Sequence, residues 1–406
     1  MSSVVGSGIL VLPGLAAKIA GPASILAWIL LSLASYPFAY TFASLSARRP
    51  ESGGVYGFSK ESFGFEAATM TSWLFGLWFI TGAPAVTLIA ASYLGYAFPL
   101  NRPETFLAAA AIIFTTFAVN IRGIVISSKV QLALIVSIIA LIVVAILSSI
   151  PFVRLQNFSP FLPFGWVPVG TAAALIFWSY LGYENVSNVA EEFENPKRDF
   201  QRSILSSVLI VGVLYVSVSF VTIGTFAYRS GGSVAPFAAL LSNVIGVYGA
   251  AGTAILAAFI IFGTGNAYMT GMSRVVYAAA KDGAFPQFLD HLNRKTSAPD
   301  RALEMLFGAS MAVLVIFYFL NVDLETALLI PSGAAILVYV FGSSAGIKLL
   351  KTRKVLPGIS LGISLVVLPF VGPLLAVSLI VAVLAFVYAK YAGRKIPKES
   401  LSEKLQ

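Results

Sequence analysis

The chain has 406 residues, 58% of them hydrophobic, with 26 basic and 17 acidic side chains, a single histidine and no cysteine. Charged residues make up 11% of the chain and mean hydropathy is +0.90; an ordinary soluble domain carries roughly 25% charge, so a water-soluble globular protein is excluded. Disulfide frameworks, thiolate metal sites and imidazole clusters are excluded too. The net charge of +9 has to be read as membrane topology before it is read as attraction for nucleic acid.

About 20 apolar residues cover the roughly 30 Å of hydrocarbon in a bilayer, and twelve stretches meet that length. They run 1 to 20, 23 to 47, 67 to 97, 104 to 121, 128 to 150, 168 to 192, 203 to 227, 248 to 279, 302 to 320, 325 to 348, 355 to 371 and 373 to 391. An all-α membrane protein with no soluble domain between its spans is predicted. The last two spans share a Gly372-Pro373 turn and read as one bent hairpin, and 234 to 245 reads as a short surface helix.

Assigning alternate connections to opposite sides places 22 of the 26 basic residues on one side. The other side keeps Arg102, Arg154 and Arg229, with Lys18 at the end of the first span. By the positive-inside rule the rich side is cytoplasmic, so both termini face the cytoplasm and the span count is even. The expected location is the plasma membrane, crossed many times. The apolar start lacks the charged region and cleavage site of a signal peptide.

Two spans carry interruptions that an apolar helix does not need. The first reads Val4-Val5-Gly6-Ser7-Gly8-Ile9-Leu10, with glycines on both sides of a serine. The sixth reads Phe177-Trp178-Ser179-Tyr180-Leu181-Gly182-Tyr183-Glu184-Asn185. Unpaired backbone is tolerated at membrane depth only where it lines a cavity or is buried in protein. Glycine-broken spans at matching places in two halves point to a transporter site. After a break the new half-helix offers free N–H groups and a positive dipole end to a carboxylate; before it, carbonyls face an ammonium. A small zwitterion such as an α-amino acid satisfies both. Close packing through small residues is the competing explanation for Gly6 and Gly8. Glu184, an acid within a span, is a candidate for a proton-linked or gating role, against that of a neutral, hydrogen-bonded carboxyl.

The stretches VGSGILVLPGLAA, PESGGVYGFSKESFG, FWSYLGYEN followed by ENPKRDFQRSI, and AAAKDGAFPQFLDHLNRKTSAPDRAL together closely resemble the amino acid/polyamine/organocation superfamily. The resemblance covers Ser3 to about residue 350. Within the superfamily it is nearest in spacing to small bacterial and archaeal permeases around the methionine/branched-chain amino acid exporter, with the arginine/agmatine antiporter more distant. It implies a LeuT-like fold of about twelve transmembrane helices: a ten-helix core over 1–350 with inverted repeats 1–150 and 168–350, discontinuous helices 1 and 6, two additional helices over 351–391 and a cytoplasmic tail at 392–406.

Carried over by motif, the resemblance implies that amides of Ser7, Gly8 and Ile9 meet the substrate carboxylate, and that carbonyls of Val4, Trp178 and Leu181 take its ammonium. It further implies that Trp178 gates the substrate, that Glu184 matches a pH-sensing glutamate, and that Tyr268 packs on the substrate side chain or fills space between helices. Two departures stand out. Many sodium-independent relatives place a lysine in the fifth span where this chain has Ile138, and Lys129 reads as a positive-inside anchor. Relatives also have about a dozen further residues before the first break, for which a misassigned start codon is the first explanation.

Other clusters have plainer readings. Glu191, Glu192 and Glu194 with Lys197, Arg198 and Asp199 form a charged cytoplasmic loop that either pairs with Arg48 or Arg122 in gating or is merely solvated. Gly53-Gly54 lacks the lysine and strand of a phosphate loop. No cofactor, metal or nucleic acid is expected, and an enzyme is disfavoured because the spans hold no positioned acid/base cluster. The expected function is secondary transport by alternating access of neutral, aliphatic amino acids such as Leu, Ile, Val or Met, by efflux or exchange, with the lipid bilayer and H+ or a counter-transported amino acid as partners. A non-transporting amino acid sensor and a polyamine or cationic amino acid antiporter are the alternatives.

Overall fold

The computed structural model describes residues 6–48, 54–123, 128–183, 196–229, 231–351 and 353–392. All secondary structure among them is helical. The first half comprises α1 (Gly8–Ala20), α2 (Ser24–Arg48), a short α3 (Gly54–Phe63), α4 (Phe65–Ala97), α5 (Arg102–Ile121) and α6 (Ser128–Ser149). The second comprises α7 (Trp166–Ile176), α8 (Pro196–Gly224), a short α9 (Pro236–Ile245), α10 (Val247–Lys281), α11 (Asp300–Phe319) and α12 (Leu324–Leu349). Two last helices follow, α13 (Val355–Val367) and α14 (Leu375–Ala392).

Every expected span has its helix. Nine helical stretches among the described residues are long and apolar enough to cross a membrane. Two of these, Gly8–Arg48 and Val355–Tyr391, each hold two of the expected spans, and the broken sixth span, Trp166–Tyr180, is too short to count. The turns are chemically legible. At the α1–α2 corner Gly21 adopts φ +62°, and a Cβ there would lie 2.7 Å from Pro163 Cγ. Asn101 and Glu104 form a reciprocal capping box at the start of α5, with bonds of 2.9 and 2.7 Å. Gly372, at φ +68°, turns the chain between α13 and α14.

The 33-residue α4 is the axis of the bundle, packed against α10, α12, α14, α5 and α11. Around it α1 lies on α7, α2 on α8, and α5 on α11. In hydrocarbon such contacts are held by van der Waals fit rather than by expulsion of water, and the large buried aromatics supply it. Phe38, Phe177 and Tyr339 meet edge to face at 5.3 to 5.4 Å. By contrast α6 and α14 expose rows of apolar side chains, including Leu132, Val136, Ile380 and Val383, as expected of lipid-facing helices.

Two expectations about local structure are revised. The stretch at 234 to 245 does form a helix, α9, yet Pro236 to Leu241 are buried against α10, α6 and α1, and only its C-terminal end is exposed. Helix α8, the seventh expected span, begins at Pro196, so the charged Lys197, Arg198 and Asp199 belong to a helix rather than to a loop. Glu191, Glu192 and Glu194 lie outside the described residues; Arg48, one of their expected partners, bonds to Glu61 at 2.7 Å.

Candidate functional site

The sixth span is broken where its sequence says it should be. After Ile176 the helix tightens to a 3-10 turn over Phe177–Tyr180, Leu181 is extended at ψ 155°, and Gly182 sits at φ +116°. The freed backbone is taken up by tyrosines from other helices. Tyr215 on α8 donates its hydroxyl to the Ser179 carbonyl at 3.4 Å, and Tyr339 on α12 donates to the Tyr180 carbonyl at 3.5 Å. The Tyr180 hydroxyl in turn reaches Ser32 at 2.6 Å.

At the first break, α1 begins at Gly8, and Ser7 takes helical angles without a side-chain cap. The Leu10 amide donates to the Ser7 carbonyl at 3.2 Å, while the amides at the very start of α1 have no carbonyl four residues back within the helix. They lie at the start of a helix whose positive dipole end faces the same space as the 3-10 turn. One turn further in, the Leu10 carbonyl accepts from the Tyr93 hydroxyl of α4, which also receives the Phe237 amide at 3.4 Å.

Between these breaks lies a cavity of about 330 Å³, within the range of small-molecule sites, about 300 to 1,000 Å³. Gly6, Ser7 and Gly8 contribute from the first break, Trp178 and Leu181 from the second, and Tyr268 from α10. The remaining wall is mostly apolar, with Trp78 and Phe79 on α4, Ile138 on α6 and Met272 on α10 among its members, and Thr87, Thr116 and Thr264 add hydroxyls to it. No carboxylate, ammonium or guanidinium lines it among the described residues. Trp78 meets Trp178 edge-on at 6.1 Å and Tyr268 at 6.2 Å, so three aromatic rings form one corner.

The two breaks touch. A Cβ on Gly8 would lie 2.7 Å from Ser179 Oγ and 2.8 Å from Trp178 Cδ1. On the far edge of the same indole, a Cβ on Gly82 would lie 2.7 Å from Trp178 Cη2. Packing and binding, set against each other as explanations of Gly8, thus coincide at one residue: the missing side chain lets the breaks approach and leaves the amides open.

Of the residues singled out from sequence, Ser7, Gly8, Trp178, Leu181 and Tyr268 line this cavity, as does Ile138 in place of the lysine of relatives. Ile9 has its side chain fully buried in the core and stands apart from the lining; only its amide is available to the site. The Trp178 carbonyl closes the 3-10 turn by accepting the Leu181 amide at 3.3 Å, leaving one lone pair for another donor. Val4 and Glu184 lie outside the described residues.

Sequence reading missed Gly82, Trp78, Tyr93, Tyr215 and Tyr339. It also missed a buried amide ladder beside the cavity, in which Asn120 Nδ2 donates to Asn266 Oδ1 at 2.8 Å and Thr270 Oγ1 donates to Asn120 Oδ1 at 2.6 Å, joining α5 to α10. The polar residues themselves, isolated in apolar spans, were the available signal.

A multi-pass helical bundle with an uncharged cavity between two broken helices is the build of a membrane permease. The chain belongs to the amino acid permease family, whose model matches residues 1–398. An uncharacterized amino acid permease of Bacillus subtilis (strain 168) is 33% identical over 396 residues, covering 97% of this chain and 93% of the relative. The L-methionine/branched-chain amino acid exporter of Escherichia coli (strain K12) is 28% identical over 365 residues, 87% and 84% of the two chains. A methylthioribose transporter of B. subtilis is 32% identical over 316 residues, 73% and 68% of the two chains. The resemblance to the amino acid/polyamine/organocation superfamily is borne out, and the family is one of transporters rather than enzymes.

Proposed function

We propose that the protein is a secondary transporter of neutral, largely apolar amino acids working by alternating access, with the zwitterion held between the two broken helices. The observation that carries this reading is the cavity itself. It joins the N-terminal end of α1 to the 3-10 turn after α7, and no ionic side chain lines it among the described residues. Such a site offers amides for a carboxylate and carbonyls for an ammonium, and its apolar wall favours an apolar side chain over a charged one. Ser7, Gly8 and Ile9 would serve the carboxylate, Val4, Trp178 and Leu181 the ammonium, Trp178 the gate, and Tyr268 the side chain.

A LeuT-like arrangement over 1–350 is supported by the way each half packs on the other: α1 on α7, α2 on α8, α4 on α10 and α5 on α11 pair elements at corresponding places in the two halves. The 22 to 4 distribution of basic residues supports cytoplasmic termini in a plasma membrane. Export or exchange is favoured by the likeness to the methionine/branched-chain amino acid exporter. H+ or a second amino acid would be the counter-ligand, with Glu184 the acid to examine. The test is thermal stabilisation of the purified protein by each of the twenty amino acids, followed by exchange of labelled leucine or methionine in proteoliposomes at two pH values. Stabilisation and exchange by apolar amino acids are expected; binding without flux under any gradient would make the protein a sensor.

A further inference from the structure

A second cavity, of about 490 Å³, lies at the C-terminal end of α1, on the face of the bundle opposite the basic connections. Its walls include Lys18 and Gly21 of α1 and the corner after it, Asn157 and Pro163 from the segment before α7, and Phe226 and Arg229 from the loop after α8. The walls are tied together where they meet. Gly21 abuts Pro163, and Asn157 Nδ2 donates to the Gly224 carbonyl at 2.7 Å.

Arg229 is the unusual member. Its guanidinium carbon lies 3.6 Å from the centre of the Phe226 ring, and Phe226 is held at φ +56°, a left-handed conformation that is costly for an aromatic residue. Stacking on the ring fixes the guanidinium plane and leaves its edge of N–H donors to a ligand. The Arg229 side chain has no hydrogen bond or ion pair with any described residue, and no carboxylate lines the cavity among them.

Lys18 is different. It feels Glu325 at the start of α12, with Asp323 next to that acid, and it also offsets the negative end of the α1 dipole. Arg229 is therefore the cation left without compensation. The chain places only four of its 26 basic residues on this side. Two of the four line this cavity, and a third, Arg102, is engaged with the Tyr318 ring at 4.7 Å and its carbonyl at 2.5 Å.

We propose that this second cavity is an oxyanion site, in which the stacked Arg229 guanidinium takes two oxygens of a carboxylate or phosphate and Lys18 adds a weaker positive field. Small carboxylates, the substrate's own among them if the transport reading holds, and lipid phosphate headgroups share that chemistry. The bidentate geometry of a guanidinium is matched to such groups, and an exposed site of this kind weakens with ionic strength.

The probe is 3-methylbutanoate, which keeps a carboxylate and an apolar body but has no ammonium, titrated calorimetrically into the full-length protein in nonionic detergent. Saturable, salt-sensitive binding is expected, weakened about tenfold or more in Arg229→Gln, partly retained in Arg229→Lys and unchanged in Gly8→Val. Stabilisation of Arg229→Gln by leucine would verify that the variant is folded. No binding at millimolar probe, or binding that Arg229→Gln leaves untouched, would overturn the proposal. Binding lost in Gly8→Val but kept in Arg229→Gln would also overturn it, placing the carboxylate at the break and leaving the transport reading intact. Conversely, Arg229-dependent binding in a protein with no amino acid flux would sustain the oxyanion site and sink the transport reading. Repeating the titration in nanodiscs with and without phosphatidylglycerol separates the sources. Competition by the lipid assigns the site to a phosphate headgroup, and its absence assigns it to the small carboxylate.

Discussion

The indole of Trp178 fits against Gly82 so closely that a single added methyl group on the glycine would come within 2.7 Å of the ring. The ring that faces the cavity from one half of the chain is thus seated by an absence in the other half. Gly82→Ala is expected to push the indole out of its slot, at a cost of about 1 to 3 kcal/mol for overpacking, and to weaken amino acid binding. In Gly82→Ala/Trp178→Ala the steric conflict is gone, so the double variant should be more stable than the single effects summed. Thermal melts of all four proteins check this, and strict additivity would remove the coupling.

Gly8→Val is expected to abolish amino acid binding while the protein still folds. The reason is sharper than occupation of the carboxylate's place: the new side chain meets Ser179 Oγ and the Trp178 ring, forcing the two breaks apart. Ligand stabilisation by leucine is the readout, and Gly8→Ala should fall between valine and wild type. Wild-type binding in both variants would show that the breaks do not form the site.

Ile138 is 2% exposed to solvent and lines the cavity from α6. Ile138→Phe should narrow the cavity and shift preference toward smaller substrates, lowering stabilisation by methionine and leucine more than by alanine. Equal losses for all three would indicate a general packing defect instead.

The amide ladder between α5 and α10 predicts a stability effect. Asn120→Leu strips Asn266 of its partner in a buried setting, where an unsatisfied polar group costs about 1 to 3 kcal/mol. Thermal denaturation should show a lower midpoint for Asn120→Leu than for Asn120→Leu/Asn266→Leu, in which neither amide is orphaned.

At the opposite end of α10, Asp282 accepts from Tyr56 at 3.0 Å and from Lys60 at 2.7 Å, clasping α3. Burial first, and then the Asp282 carboxylate, hold the Tyr56 phenol above its ordinary range, so it remains a donor at neutral pH. A phenol whose folded value is raised contributes stability below its unfolded value of about 10 and loses that contribution as pH rises further. Asp282→Asn keeps an acceptor but removes the charge. The ion pair is well exposed, so little change in melting temperature is expected, while the rate of exchange should change because α3 is released. An unchanged rate would leave the clasp without a part in transport.

Much of this was legible in the sequence, because hydropathy reports directly on depth in a bilayer. The helical spans and the breaks at Gly8 and Gly182 needed only composition and local order. What stayed hidden were contacts between spans. Gly82 lies 96 positions before Trp178, in a run where nothing apolar stands out because everything around it is apolar, so periodicity carries no signal. Tyr215, Tyr339 and Asn266 are visible as polar atoms in hydrocarbon, but their partners are set by which helices touch. The short helix α9 shows the same limit: its helicity was readable, its burial was not.

The turn after α7 is held by phenol hydroxyls at 3.4 and 3.5 Å rather than by a helical ladder. Bonds of that kind contribute on the order of 0.5 to 1.5 kcal/mol each, and a hydroxyl can swing to another acceptor by rotation about one bond. A change of shape at this joint would therefore break two weak side-chain bonds rather than a run of backbone ones, and the tyrosines tie its cost to the positions of α8 and α12.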